Sequence, residues 1–393
     1  MKVLVIPSWY VTEDNPNNGI FFKEQSEALA NSGAEVAVIY PDLRFKLGSL
    51  RRGIYKDYDA EIPTYIYRKR TITPFYEKGR WPQIYKMLEE LYERVCNDFG
   101  KPDIVHLHSC RIGSEVVKLC KNHNLPLVYT EHYSGILSPM NDDLKYQFET
   151  TLQNCDCAIA VSEDLKAHMV SKRRDTLFIP NMVDAENFKI MPNVELKSNF
   201  VFATIGNLVP IKGFDILITA FAEAVNHMPG AQLYIAGSGL EEENLKELIK
   251  EKKLEDRVFL TGFISRKMIP KFLNGCDCYV CSSNFETFGV SIIEALACGK
   301  PVIATRCGGP ESIINAKNGM LINAGDTLSM QRALVQMYRR AREFNPFALR
   351  EDCIKRFGKN YVCQRLVQLY AHILSRSNAK AEAEPADITK NEE

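Results

Sequence analysis

Net charge is the first thing this sequence lacks: 49 Lys and Arg are matched by 49 Asp and Glu. A balanced chain projects no global field toward nucleic acid, so that partner is not expected. Also missing is any apolar run near the ~18 residues that a membrane helix needs. The N-terminus, MKVLVIPSWY, carries no small-residue cleavage site after its apolar stretch. We therefore read neither a span nor a signal peptide and expect a cytoplasmic chain. No complete G-x-G-x-x-G follows a strand-like run. Gly237-Ser238-Gly239 lacks the third glycine and the acidic partner of a dinucleotide site, and reads as a strand-to-helix turn.

What is present is the composition of an ordinary globular protein, 46% hydrophobic and 25% charged. A length of 393 residues, at ~150 per domain, predicts two domains with a remainder. Twelve cysteines occur. The closest sets, Cys155/Cys157 and Cys276/Cys278/Cys281, have the wrong spacing for zinc and no adjacent histidine. They read as buried, reduced thiols, and no metal site is expected.

Short β-branched runs alternate with amphipathic segments. VLVI (3–6) precedes a helix over 20–31 that Gly33 closes. EVAVIY (35–40), DIVHLH (103–108), PLVYTEH (126–132), CAIAVS (157–162) and TLFIPN (176–181) follow. The pattern restarts with FVFATIG (200–206), a helix from Phe214, AQLYIAG (231–237), RVFLTG (257–262), DCYVCSS (277–283) and KPVIAT (300–305). Near-continuous apolar strands joined by helices predict parallel sheets covered on both faces. The echo between NCDCAIAVS and GCDCYVCSS supports two similar halves. We expect an α/β chain of two doubly wound Rossmann-like domains facing a central cleft, over 1–190 and 191–345. A helical segment, 346–376, is expected to pack back across them, and 377–393 to be a disordered tail.

In such folds ligands bind just after the strand ends. Beyond DCYVCSS, Glu286 and Glu294 are separated by seven residues, and Gly289 stands at a helix start. The amides of Phe288, Gly289 and Val290 would then point outward with the helix dipole behind them, a phosphate site. Glu286 would accept hydroxyls. Glu294 sits in an otherwise apolar helix, so it needs a partner; both its oxygens would suit a vicinal diol such as a ribose. Lys212 follows the first strand of the second half, where a flexible point charge suits a diphosphate.

ETFGVSIIE (286–294) with ACGKPVIATRCGGPE (297–311) resembles the donor-site signature of retaining family 4 glycosyltransferases of the GT-B fold. IGNLVPIKGFD (205–215) resembles the family's phosphate loop, IPNMVD (179–184) its interdomain segment and TEHY (130–133) its histidine segment. The resemblance spans about 1–375. It implies a metal-independent, retaining hexosyltransferase with no cofactor, whose substrate is a UDP- or GDP-sugar. The acceptor it implies is a glycan or lipid-linked glycan. Glu286 would hold hydroxyls of the transferred sugar, Glu294 the ribose diol and Lys212 the diphosphate. His132 would contact the donor sugar, and Gly19 would allow close approach near phosphate and acceptor. Asn207 stands where the family usually has arginine, and Asn18 replaces one of two glycines. His106 is expected behind the site, with His108 unassigned, and Gly308, Gly309 and Glu311 complete the donor pocket. A nucleotide-sugar isomerase and a two-lobed binding protein are the other readings; turnover without acceptor separates them.

Residues 44–86 concentrate charge, with eleven Lys/Arg against four acids, interleaved with Phe45, Phe75 and Trp81. A solvated loop and a peripheral surface for an anionic membrane are both compatible with that composition.

Overall fold

The structure, a computed structural model, describes residues 1–48, 50–57, 61–72, 78–192 and 199–383. Its first sheet is built from β1 (Lys2–Pro7), α1 (Ile20–Asn31), β2 (Glu35–Arg44), β3 (Gly53–Asp57), β4 (Thr64–Arg70), α2 (Trp81–Asp98), β5 (Ile104–His108), α3 (Gly113–His123), β6 (Leu127–Glu131), α4 (Asp142–Asn154), β7 (Cys157–Ala160), α5 (Glu163–Val170) and β8 (Leu177–Phe178). The strand order is β3-β4-β2-β1-β5-β6-β7-β8. β1 is parallel to β2 on one side and to β5 on the other. The order therefore reverses at β1, and the loops after β1 and β5 diverge there. All five residues of β5 are buried, as a central strand covered on both faces requires.

The second sheet contains β9 (Val201–Ile205), α6 (Phe214–Ala224), β10 (Gln232–Ala236), α7 (Glu242–Glu251), β11 (Val258–Gly262), α8 (Ile269–Asn274), β12 (Cys278–Cys281), α9 (Val290–Ala297), β13 (Val302–Arg306), β14 (Gly319–Asn323) and α10 (Thr327–Arg340). α11 (Pro346–Phe357) and α12 (Lys359–Ala383) follow. The order β11-β10-β9-β12-β13-β14 reverses between β9 and β12, so the loops after these two strands flank a topological switch point. Leu217, Ile218 and Phe221 of α6 pack with Phe202, Leu233 and Leu334 in one apolar cluster. That packing holds the switch-point strands rigid beneath their loops.

Contacts divide the chain into two compact units. One is 1–159 with 170–177 and 363–393; the other is 160–169 with 178–362. This differs from the division expected at 190. The segments 160–169 and 178–190 pack with the second unit because Ile179 donates to Ala160 and Val183 to Phe357. The expected helical segment 346–376 is two helices, broken at Gly358, where a Cβ would meet Ile354 O at 2.5 Å. α11 packs in the second unit, whereas α12 carries the chain into the first from Cys363 on. The expected tail is helical through Ala383; 384–393 and the segment 193–198 lie outside the described residues.

The basic stretch folds as a hairpin that the sequence reading did not anticipate: β3 is antiparallel to β4, and β4 is parallel to β2. Arg68 is buried, donating to Asp42 Oδ2 at 2.6 Å and Glu13 Oε1 at 2.7 Å. Arg80 and Trp81 are buried as well, and Arg44 is paired with Asp14 and Asp42. These four residues leave the expected basic surface, which keeps Phe45, Lys46, Arg51, Arg52, Lys69 and Arg70 exposed. Phe75 lies outside the described residues.

Candidate functional site

In the second unit the switch point brings Lys212 and Glu286 together. Lys212 closes a short 3-10 turn, Pro210–Lys212, and Gly213 follows at φ 59, a left-handed conformation suited to glycine. A Cβ on Gly213 would meet Ser282 O at 2.4 Å. The loop after β9 therefore presses on the loop after β12, and Ser282 Oγ donates to Lys212 O at 2.8 Å. Across that contact the Lys212 ammonium pairs with Glu286 Oε1, which also accepts Ser283 Oγ at 2.9 Å. The Lys212 ammonium is held above its ordinary value: burial opposes its charge, but the Glu286 carboxylate outweighs it.

Glu286 is fixed from its other side by the loop after β13. It bridges Gly308, and Gly309 donates to Glu286 O at 2.7 Å. A Cβ on Gly309 would lie 2.3 Å from Phe288 Cα, so only glycine lets these backbones touch. Glu311 Oε2 accepts from Gly308 at 3.0 Å and Cys307 at 3.2 Å. Its carboxylate thus shapes this turn. Phe288 is buried, and Gly289 caps α9 at φ 101, with Val290 opening the helix as expected. Helix-start amides lack intrahelical acceptors, so this end of α9 favours an anion.

Glu294 is buried at 3% exposure. The partner its apolar helix demands is Arg266, which donates to Glu294 Oε1 at 2.5 Å and lies over the Phe188 ring at 4.7 Å. Asn207 is exposed on the loop after β9. That loop interlocks with the one after β10. Leu208 donates to Ser238 O at 3.0 Å, and a Cβ on Gly237 would lie 1.8 Å from Gly206 O.

The first unit groups Gly19 with His132. Gly19 caps α1 at φ 76, and a Cβ there would lie 2.9 Å from Trp9 O. Phe22 of the same helix sits edge-on to His132 at 5.0 Å. His132 Nε2 lies 3.1 Å from His108 Nδ1, and His106 Nε2 lies 2.7 Å from Thr130 Oγ1. His106 Nδ1 meets the Tyr370 hydroxyl at 2.6 Å. Behind them Glu131, fully buried, accepts the amides of His132 and Tyr133 at 2.6 Å each. That carboxylate orders the turn on which His132 sits.

Burial pushes the His106 imidazole down to about 3, and His108, buried beside His106 and His132, is also held well below its ordinary value. As pH falls through ~6.5 the unfolded chain gains protons at both positions and the folded chain does not. Each then removes about 1.4 kcal/mol of stability per pH unit. Glu27, raised to about 7 by burial, acts in the opposite sense over the same range. The clean measurement is therefore NMR. The His106 ring resonances should stay flat from about pH 7.5 to pH 5; a midpoint near 6 would contradict a neutral, locked ring.

The geometry can be set beside known proteins. Residues 186–357 match the model described as Glycosyl transferases group 1, and residues 19–187 match Glycosyltransferase Family 4. The chain belongs to the group 1, family 4 glycosyltransferases. It is 26% identical over 335 residues to N-acetyl-alpha-D-glucosaminyl L-malate synthase of Bacillus anthracis, covering 81% of this chain and 84% of that one. It is 24% identical over 256 residues to 2-deoxystreptamine N-acetyl-D-glucosaminyltransferase of Niallia circulans, covering 63% and 61%. Among solved structures it resembles sucrose-phosphate synthase of Thermosynechococcus elongatus, with TM-score 0.78, 19% identity and coverage of 96% and 100%. It also resembles Anabaena HepE in complex with UDP-glucose, with TM-score 0.74, 21% identity and coverage of 95% and 100%. The fold is GT-B, with two parallel-sheet Rossmann-like domains.

For this glycosyltransferase the structure gathers Lys212, Glu286, Phe288, Gly289 and Val290 in one unit, and Gly19 with His132 in the other. Glu294, expected to face a vicinal diol, already accepts Arg266 at Oε1. Spacing could not name Arg266, which sits 28 residues upstream of its partner. Its only signal was that a buried acid requires a cation or donors. All twelve cysteines are free thiols, and burial pushes Cys157 and Cys281 up to about 11. Among the described residues no three His, Cys, Asp or Glu are grouped to hold a metal. One D-x-D triplet, Asp57-Tyr58-Asp59, does occur in the chain; its last two residues lie outside the described ones. Among the described residues no helix is long and apolar enough to cross a membrane.

Proposed function

We propose that the enzyme transfers a hexose or N-acetylhexosamine from a UDP- or GDP-sugar to a glycan or lipid-linked glycan, with retention of configuration and without a metal. The observation carrying this reading is the Lys212–Glu286 pair at the N-terminal end of α9. A cation and preorganised amides converge there, where a leaving diphosphate gains negative charge. Lys212 and the amides of 288–290 would hold that diphosphate, with Asn207 as an uncharged donor beside them. Glu286 would take hydroxyls of the transferred sugar once the diphosphate draws Lys212 toward itself. Glu294, oriented by Arg266, would hold the ribose. In the other unit His132 would contact the sugar, and Gly19 would let the backbone approach it.

The test is nucleotide release from a panel of UDP- and GDP-sugars, with the product anomer read by NMR. Activity should persist in excess EDTA; an absolute need for Mn²⁺ or Mg²⁺, or an inverted anomer, would overturn the corresponding part. Glu294→Ala should weaken donor use about 10- to 150-fold, the loss of a charge-assisted bond of roughly 1.5–3 kcal/mol. It should also lower stability by about 1–3 kcal/mol, because Arg266 loses its carboxylate. Nucleotide affinity equal to wild type in calorimetry would remove the assignment.

The lipid-linked acceptor is supported by the basic stretch, in which Phe45, Lys46, Arg51, Arg52, Lys69 and Arg70 are exposed, as is Ile72 at 86%. Exposed basic and apolar groups in one stretch suit peripheral contact with an anionic membrane at the cytoplasmic face. Co-sedimentation with anionic but not neutral liposomes is expected at low salt, and its loss in Arg52→Glu/Lys69→Glu/Arg70→Glu. Equal recovery with both liposome types would favour a soluble acceptor. Arg68 is unsuitable for this test, because a glutamate there would face Asp42 and Glu13 in the interior.

A further inference from the structure

The first unit contains a cavity of about 270 Å³ that none of the donor-side roles uses. It opens at the carboxyl ends of β1 and β2, between the loop after β1, the start of α2 and the turn after β5. Arg44, Arg80 and Arg111 line it together with two acids, Asp14 and Asp42. Both acids are already paired, with Arg44 of the same lining and, for Asp42, with Arg68 as well. Arg44 reaches Asp42 Oδ1 and Asp14 Oδ2 at 2.6 Å each, and Arg68 takes Asp42 Oδ2 at 2.6 Å. Arg80 is buried and positioned by a 2.6 Å bond to Leu43 O. Arg111 lies over the rings of Trp9 at 5.8 Å and Tyr133 at 5.2 Å. Burial and the charge of Arg111 together hold Arg80 below its ordinary value, so the two guanidinium groups feel one another.

The backbone is strained two residues before Arg111. Ser109, at the end of β5, has φ 69 and ψ 148, a conformation normally left to glycine. It is fully buried and locked, donating to Thr130 O and accepting Ser8 Oγ, each at 2.8 Å. Such strain persists only where the surroundings over-determine it, and the turn that follows, Cys110–Ile112, carries Arg111 of the cavity lining. The wall then continues toward His132: Trp9 packs on Phe22 at 5.2 Å, and Phe22 on His132 at 5.0 Å.

Two guanidinium groups lining one cavity match the oxygens of a carboxylate or phosphate, and the Trp9 ring in the same lining offers an apolar surface to an adjoining sugar ring. We propose that this cavity binds an oxyanion of the acceptor through Arg80 and Arg111, so that the acceptor is an anionic molecule. This rests on the glycosyltransferase reading given above.

The test is calorimetric titration of the full chain, with and without saturating UDP or GDP. The probes are glucuronate, glucose 1-phosphate and the uncharged methyl glucoside. Binding of glucuronate points to a carboxylate, binding of glucose 1-phosphate to a phosphate, and methyl glucoside should bind more weakly than either. Arg111→Gln and Arg80→Gln should each weaken the anion about tenfold or more and leave nucleotide affinity within about twofold. Should Arg111→Gln fail to fold, Arg111→Lys, which keeps the charge without the fork, should still lose affinity several-fold. Anion binding that is absent in wild type, or unchanged in these variants, while nucleotide still binds would overturn the inference alone. A wild type that binds no nucleotide counts against the functional reading, and the titration without nucleotide still decides the cavity.

Discussion

Lys212→Ala is expected to lower turnover by about 10²–10³-fold, the usual cost of removing a group aimed at charge that develops in the transition state. The effect should fall on turnover more than on free-nucleotide affinity, because the helix-start amides remain. Glu286 provides the internal control. Its carboxylate pairs with Lys212 and accepts Ser283, so Glu286→Gln keeps the shape and removes the charge. If Lys212 serves the diphosphate, Glu286→Gln should reduce transfer and leave nucleotide binding nearly unchanged, whereas the two variants should not compensate one another. A Lys212→Ala enzyme within about threefold of wild-type turnover would reduce the pair to a structural ion pair.

The largest loss of stability is expected at Gly237. An alanine Cβ there would lie 1.8 Å from Gly206 O, far inside any van der Waals contact. The obstacle is backbone, which cannot rotate away as a side chain can. Gly237→Ala should therefore cost about 3 kcal/mol or more in denaturant unfolding and displace the loop that carries Asn207 and Lys212. Gly262 supplies the comparison. It too has positive φ, +71°, but nothing lies within 4 Å of its would-be Cβ. Gly262→Ala should cost only about 1 kcal/mol, the price of the left-handed conformation. Equal costs at both positions would show that the interlock of the two loops is not tight.

Much of the fold is legible in the chain. The helix over 20–31 and every strand except β3, β4 and β14 follow from apolar periodicity with glycine at the turns, because those signals are local and repeat. The hairpin of β3 and β4 is not. KDYDAEIP and TYIYRKR carry dense charge, and the charge reads as solvent-facing until Arg68 is seen between Asp42 and Glu13. The unit boundaries escape the sequence for a related reason. A composition shift marks where a linker looks polar, but 160–169 and 178–190 join the second unit through hydrogen bonds that composition does not record.

The candidate site divides the same way. Local chemistry marks Glu286, Gly289, Glu294 and Lys212, because an acid in an apolar helix, a glycine at its start and charged groups in loops just after strands stand out by themselves. The sequence determined that these groups exist and that each follows a strand. Tertiary structure decided which of them meet. Lys212 and Glu286 are 74 residues apart and pair because the strand order reverses between β9 and β12. Arg266 reaches Glu294, and Arg80 and Arg111 line one cavity, for the same reason: loops at one edge of a sheet converge on strands that chain order keeps far apart. Periodicity records which face of an element is apolar; it holds no information on which strand lies beside which, and side-chain partnership depends on that adjacency.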